Sequence, residues 1–153
     1  MSREGLQTRF GSAEESPGLL LWQVTNRWQA AQRAALKPYG LTHVQFVLLA
    51  ALTYLAADGP VTQKALADQA ATDPMMTSQV LRALEGQGLV RRLAHPHDKR
   101  ARALEVTEEG RALANRAVQA VEACDAEFFA VLGEQGKGAP DAFTRALRAL
   151  SGR

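Results

Sequence analysis

The sequence predicts a mainly α-helical fold with one small β-hairpin. Three observations carry that prediction. Helix-start signals recur along the chain, each followed by apolar residues at three- and four-residue spacing. Between Leu89 and Val106 the period shortens to two. Within this stretch, from Arg91 to Arg102, Arg91, Arg92, Lys99, Arg100 and Arg102 gather with His95 and His97 against the single acid Asp98.

The elements follow in order. Residues 1–15 are polar, lack the apolar core of a signal peptide and read as a flexible arm. Ser16-Pro17 is an N-cap followed by proline at the first helical position. The helix it opens runs to about Lys37, before Pro38 and Gly40. Leu21, Trp28 and Ala35 fall at heptad spacing with Leu20, Val24 and Ala31 beside them, a face wide enough for a partner subunit as well as an internal core. Thr42 and Gln45 form a capping box, with Leu41 and Phe46 placed as a hydrophobic staple. Val47, Leu48, Leu52 and Leu55 continue that helix to Asp58-Gly59-Pro60.

Val61-Thr62 opens a short helix over about 63–70, anchored by Leu66. The turn Ala71-Thr72 leads to a second cap-plus-proline start, Asp73-Pro74. Met76, Val80 and Leu84 form the apolar stripe of the next helix, with Leu81 beside it, and Gly86-Gln87-Gly88 ends it. Two short helices across a tight turn make a helix-turn-helix. Residues 89–93 and 101–106 then read as strands around a polar, basic turn, 94–100. Thr107-Glu108-Glu109 starts a helix reaching about Leu132, with Leu113, Ala117, Ala120, Val121, Cys124 and Phe128 on its apolar side. After a breaker at 133–138, a last helix spans about 140–150 with Phe143, Leu147 and Leu150.

Composition narrows the class. The chain has 153 residues, 46% of them apolar and 22% charged, as in a soluble globular domain. The net charge is only +2, so the clustering of cations says more than their number. One cysteine precludes an internal disulfide and fits a reducing cytoplasm. No apolar run has the length of a membrane span. No Gly-rich phosphate loop, nucleophile–base pair or clustered metal-ligand set occurs, so no enzyme, cofactor or metal site is expected.

What remains is a nucleic-acid surface. Around the stripe of the 73–86 helix lie Thr77, Ser78, Gln79 and Arg82, with Met75 near its start. Gln and Arg match adenine and guanine edges, and Ser and Thr meet bases or phosphate. The helix N-terminus also suits a phosphate. Arg91, Arg92, Lys99 and Arg100 add cations, and an Arg at a ribbon tip can enter the minor groove. Asp98 would orient a neighbouring Arg. The plainer alternatives are a solvated helix face, a solvated basic loop and a turn-forming Asp98.

Three segments carry a resemblance to a known family: Leu41-Thr42-His43-Val44-Gln45-Phe46, the helix-turn-helix closing on Leu84-Glu85-Gly86-Gln87-Gly88-Leu89-Val90-Arg91-Arg92, and Asp98-Lys99-Arg100-Ala101-Arg102-Ala103-Leu104-Glu105-Val106-Thr107-Glu108-Glu109-Gly110. Over residues 18–150 the chain resembles the MarR family of winged helix-turn-helix regulators. The resemblance implies a DNA-binding lobe over 41–107 and dimerisation helices at 16–38 and 108–153, within one compact domain. It implies a homodimer on pseudo-palindromic double-stranded DNA, acting as a repressor released by a small ligand, often an aromatic acid. It places the wing Asp and Arg at Asp98 and Arg100. It also implies a ligand cleft, for which Trp22, Trp28, His43 and Phe46 are candidate lining residues and Arg111 a carboxylate partner; ordinary core or interface packing is the alternative for each. The family's peroxide sensors carry their reactive cysteine near the first helix, whereas Cys124 reads as a buried, inert thiol. The chain departs from the pattern at Thr72-Asp73-Pro74-Met75-Met76-Thr77-Ser78, where such helices commonly begin with Ser, Thr or Arg. A DNA-binding dimer without an effector, or a protein-interaction module using the winged fold, are the remaining readings.

Overall fold

The computed structural model describes residues 5–94, 102–133 and 141–152. Their order is α1 (Pro17–Leu36), α2 (His43–Leu55), β1 (Val61–Thr62), α3 (Gln63–Ala70), α4 (Pro74–Gly86), β2 (Val90–Ala94), β3 (Arg102–Val106), α5 (Glu108–Phe128) and α6 (Ala142–Leu150). The turn at 95–100, with Asp98, Lys99 and Arg100, lies outside the described residues, as do residues 134–140 of the segment before α6. Among the described residues no single helix is long and apolar enough to cross a membrane.

The expected caps form. Ser16 accepts the Leu19 amide and Thr42 accepts the Gln45 amide, while Gln45 returns a bond to the Thr42 N–H. These bonds satisfy helix-start donors that would otherwise be orphaned, and so fix where α1 and α2 begin. The described part of the segment read as a flexible arm, residues 5–15, contains a short 3-10 turn over Ala13–Glu15.

The sheet has three strands, one more than the expected hairpin, in the order β1-β3-β2. Val61 and Thr62 pair antiparallel with Leu104 and Ala103. Thr62 thus ends a strand and caps α3 at once, accepting the Ala65 amide. Two residues are too few to show a period, so this strand is invisible in the sequence. In the hairpin, Val90 faces Val106, Arg91 faces Glu105 and Ala94 faces Arg102.

The core lies where the sheet, α2 and α5 meet. Leu48, Leu49 and Leu52 of α2 pack with Leu66, Leu81, Leu84, Val90, Leu104 and Val106, all buried. The buried line of α5 is Gly110, Ala114, Ala117 and Val121. Its small residues let the helix lie close to β2 and α1. Thr107 seats its start: the Thr107 hydroxyl lies 2.8 Å from the Gly88 carbonyl oxygen and 3.1 Å from that of Leu89, and its oxygen accepts the Gly110 amide at 3.0 Å.

Candidate nucleic-acid interface

The helix-turn-helix is held by one buried threonine. The Thr77 hydroxyl donates to the Asp73 carbonyl at 2.8 Å and accepts from the Thr72 hydroxyl at 2.6 Å. Thr77 is fully buried. Its expected place on the DNA-facing surface is therefore corrected: it ties the inter-helix turn to α4 and reaches no base. The buried line of α4 is Thr77, Leu81 and Leu84, with Val80 half-buried against the core; Met76, expected inward, is 42% exposed. The expected series fails at its first position, where polar Thr77 and not Met76 turns inward. Ala71, left-handed at φ 54°, makes the turn between α3 and α4.

With that phase, the outer face of α4 carries Met75, Gln79 and Arg82, all exposed, flanked by half-buried Ser78. Gln79 and Arg82 are one turn apart on this line. The helix N-terminus itself is filled: Asp73 Oδ1 accepts the Met76 amide at 2.8 Å. This carboxylate occupies the position the sequence reading gave to a phosphate.

The cations of β2 divide. Arg91 is exposed and stands across the hairpin from exposed Glu105. Arg92 turns inward, with Nε 3.3 Å from Glu85 Oε2 and a long contact from a terminal nitrogen to the Ser78 carbonyl. It straps β2 to the back of α4, so its expected role as a phosphate contact is corrected.

The ligand candidates do not converge. Trp28 meets His43 edge to face, ring centres 4.9 Å apart. Trp22, six residues before Trp28 on α1, is 69% exposed, while Phe46 is buried in the central core. Arg111 is exposed and lines a shallow surface hollow with Pro60, Leu93 and Glu105 at the base of the wing. Asp125, which sequence reasoning missed, organises the Trp28–His43 region. Its Oδ1 accepts the Trp28 indole N–H at 2.8 Å and the amide of fully buried Gln32 at 2.6 Å. The spacing of Trp28, Gln32 and Leu36 by four was the available signal for an inward polar residue on α1.

Burial holds the His43 pKa below the ordinary 6.5, opposed by the Asp125 charge and helped by Arg33. The folded protein thus favours neutral imidazole. Its contribution to stability is present above pH 6.5 and is lost as pH falls below it. Thermal melts across this range are expected to show a steeper acid-side loss for the wild type than for His43→Gln. Cys124 is half-buried, and burial together with Asp125 and Glu127 raises its thiol pKa, so it stays protonated and unreactive near neutrality.

Known proteins share this arrangement. Residues 41–101 match the model of the MarR family. An uncharacterized HTH-type transcriptional regulator of Bacillus subtilis, YdcH, is 45% identical over 124 residues, covering 80% of this chain and 84% of that protein. The HTH-type transcriptional repressor Rv2887 of Mycobacterium tuberculosis is 37% identical over 80% of this chain and 87% of its own length. Among solved structures, CouR from Rhodococcus jostii RHA1 bound to p-coumaroyl-CoA superposes with a TM-score of 0.74 at 29% identity, over 92% of both chains. The transcriptional repressor CouR bound to a 23-mer DNA duplex superposes with a TM-score of 0.79 at 26% identity, over 95% of this chain and 99% of that one. The capped helix-turn-helix, the three-stranded sheet behind it and these likenesses agree, and the chain belongs to the MarR family of transcriptional regulators.

Proposed function

We propose that the protein is a homodimeric repressor that lays α4 in the major groove of each half of a pseudo-palindromic operator. One observation carries the DNA-reading role: exposed Gln79 and Arg82 lie one turn apart on the face of α4 opposite its buried stripe. A Gln and an Arg on one helix line can form bidentate bonds with adenine and guanine. Ser78 flanks this line, and the basic ribbon, through Arg91, Lys99 and Arg100 with Asp98 as the orienting acid, is the proposed contact with the flanking minor groove. The likeness to a CouR structure bound to a 23-mer DNA duplex supports DNA binding.

Dimerisation is supported by an apolar groove open on one side. Leu20, Leu21, Val24 and Trp28 of α1 face Phe129 and, from α6, Phe143 and Leu147. Leu20, Leu21 and Val24 are exposed in the single chain, and a continuous apolar patch of this kind marks an interface. The effector is a small aromatic compound docking at the Trp28–His43 edge: the p-coumaroyl-CoA-bound CouR structure supports a ligand, and the ring pair supports its place. The protein performs no catalysis and works in the cytoplasm.

The test is a gel shift with the chain's own upstream DNA. Arg82→Ala is expected to weaken binding by about 1–3 kcal/mol per half-site and to relax base preference at one position. Aromatic carboxylates and p-coumaroyl-CoA are then added to the complex, and release by one of them is expected. Equal affinity of Arg82→Ala and wild type on specific and random DNA would remove α4 from the mechanism.

A further inference from the structure

The first turn of α4 differs chemically from the rest of its outer face. Asp73 caps it with a carboxylate that accepts the Met76 amide. A phosphate brought to this helix end meets a negative charge where an open helix end would supply N–H donors. The next side chain outward is Met75, 72% exposed, which leads Gln79 and Arg82 at four- and seven-residue spacing on one line. An apolar side chain at the tip of a polar reading face gains nothing from water, and its sulfur is only a weak acceptor. The major groove presents one apolar group, the C5-methyl of thymine.

On the reading of α4 as the DNA-reading helix, we infer that Met75 is a specificity-determining residue that packs its thioether on a thymine methyl. Asp73 keeps the helix tip off the phosphate strand, and the unbranched Met75 side chain adapts to the position of the methyl. Four residues of helix advance about 6 Å, close to two base-pair steps, so the thymine lies about two pairs from the base met by Gln79.

The experiment uses full-length protein and a duplex it selects from a random-sequence pool. Each thymine of the half-site is replaced in turn by deoxyuridine, which removes only the methyl. Wild type is expected to lose about fourfold in affinity per half-site at one thymine, the equivalent of about one buried methylene. Met75→Ala is expected to bind the thymine duplex more weakly and to be indifferent to uridine at that position. Met75→Leu, which keeps an apolar tip, is expected to retain the sensitivity. Identical uridine profiles for wild type and Met75→Ala, or no sensitive thymine, would overturn the inference while leaving α4 in the groove. A pool yielding no enriched duplex would overturn the DNA-reading role of α4 and this inference with it.

Discussion

Gly110→Ala is expected to lower the free energy of unfolding by about 3 kcal/mol, at the upper end of the usual cost of overpacking. A Cβ at this position would overlap the carbonyl oxygen of Leu89 and stand 2.9 Å from Val106 Cγ2. The first obstacle is backbone, so no side-chain rotation relieves it. Nor can the helix move out. The Thr107 amide donates to the Leu89 carbonyl at 3.0 Å, and the Thr107 hydroxyl sits against the same carbonyl while capping Gly110. Shifting α5 outward would break this clasp and open the core beneath Val106. The measurement is the urea midpoint at fixed protein concentration, since coupling to a dimer would make stability concentration-dependent. A midpoint unchanged from wild type would show that the clasp is looser than these contacts require.

Asp125→Ala is expected to cost about 3 kcal/mol, because it leaves two donors without an acceptor. One is the indole N–H of Trp28 and the other the amide of Gln32, whose side chain is fully buried between α1 and α5. Gln32 Oε1 already has no partner among the described residues, so the loss falls on a side chain with little in reserve. Asp125→Asn keeps an acceptor oxygen at nearly the same volume and is expected to lose much less. The indole proton resonance of Trp28 reports the change directly, and its position should shift in Asp125→Ala. Equal stability of the Ala and Asn variants would show that the carboxylate is a bystander. The same network holds the ring that His43 packs against. Ligand affinity and stability are therefore expected to fall together in Asp125→Ala, if the effector docks at this edge.

Much of the fold was legible because its boundaries are local. Ser16-Pro17, Thr42 with Gln45, Asp73-Pro74 and Thr107 each start a helix where the sequence places it, since each cap bonds the amide three residues on. The change to period two likewise located β2 and β3. The errors share a cause in contacts that a segment's own periodicity does not show. Strand β1 exists only because β3 offers it an edge. Thr77 turned inward because Thr72 and the Asp73 carbonyl take its hydroxyl. Arg92 left the DNA face because Glu85 stands behind it.

The candidate site divided in the same way. The outer residues of α4 follow from its phase once that phase is known, and Gln79 and Arg82 are exposed on that face. The proposed ligand residues did not: a side chain's neighbours across a helix junction are not written in its own segment. Trp28 and His43 met, Phe46 entered the core, and Arg111 went to the wing.

By itself the sequence determined the class: a helical chain with one basic ribbon and a helix-turn-helix, because caps, breakers and periodicity act over a few residues. The tertiary structure alone decided which polar groups face inward. Thr77, the amide nitrogen of Gln32 and Arg92 face inward because Thr72 with the Asp73 carbonyl, Asp125 and Glu85 stand where these groups reach them, and such partners lower the cost of burying a polar group.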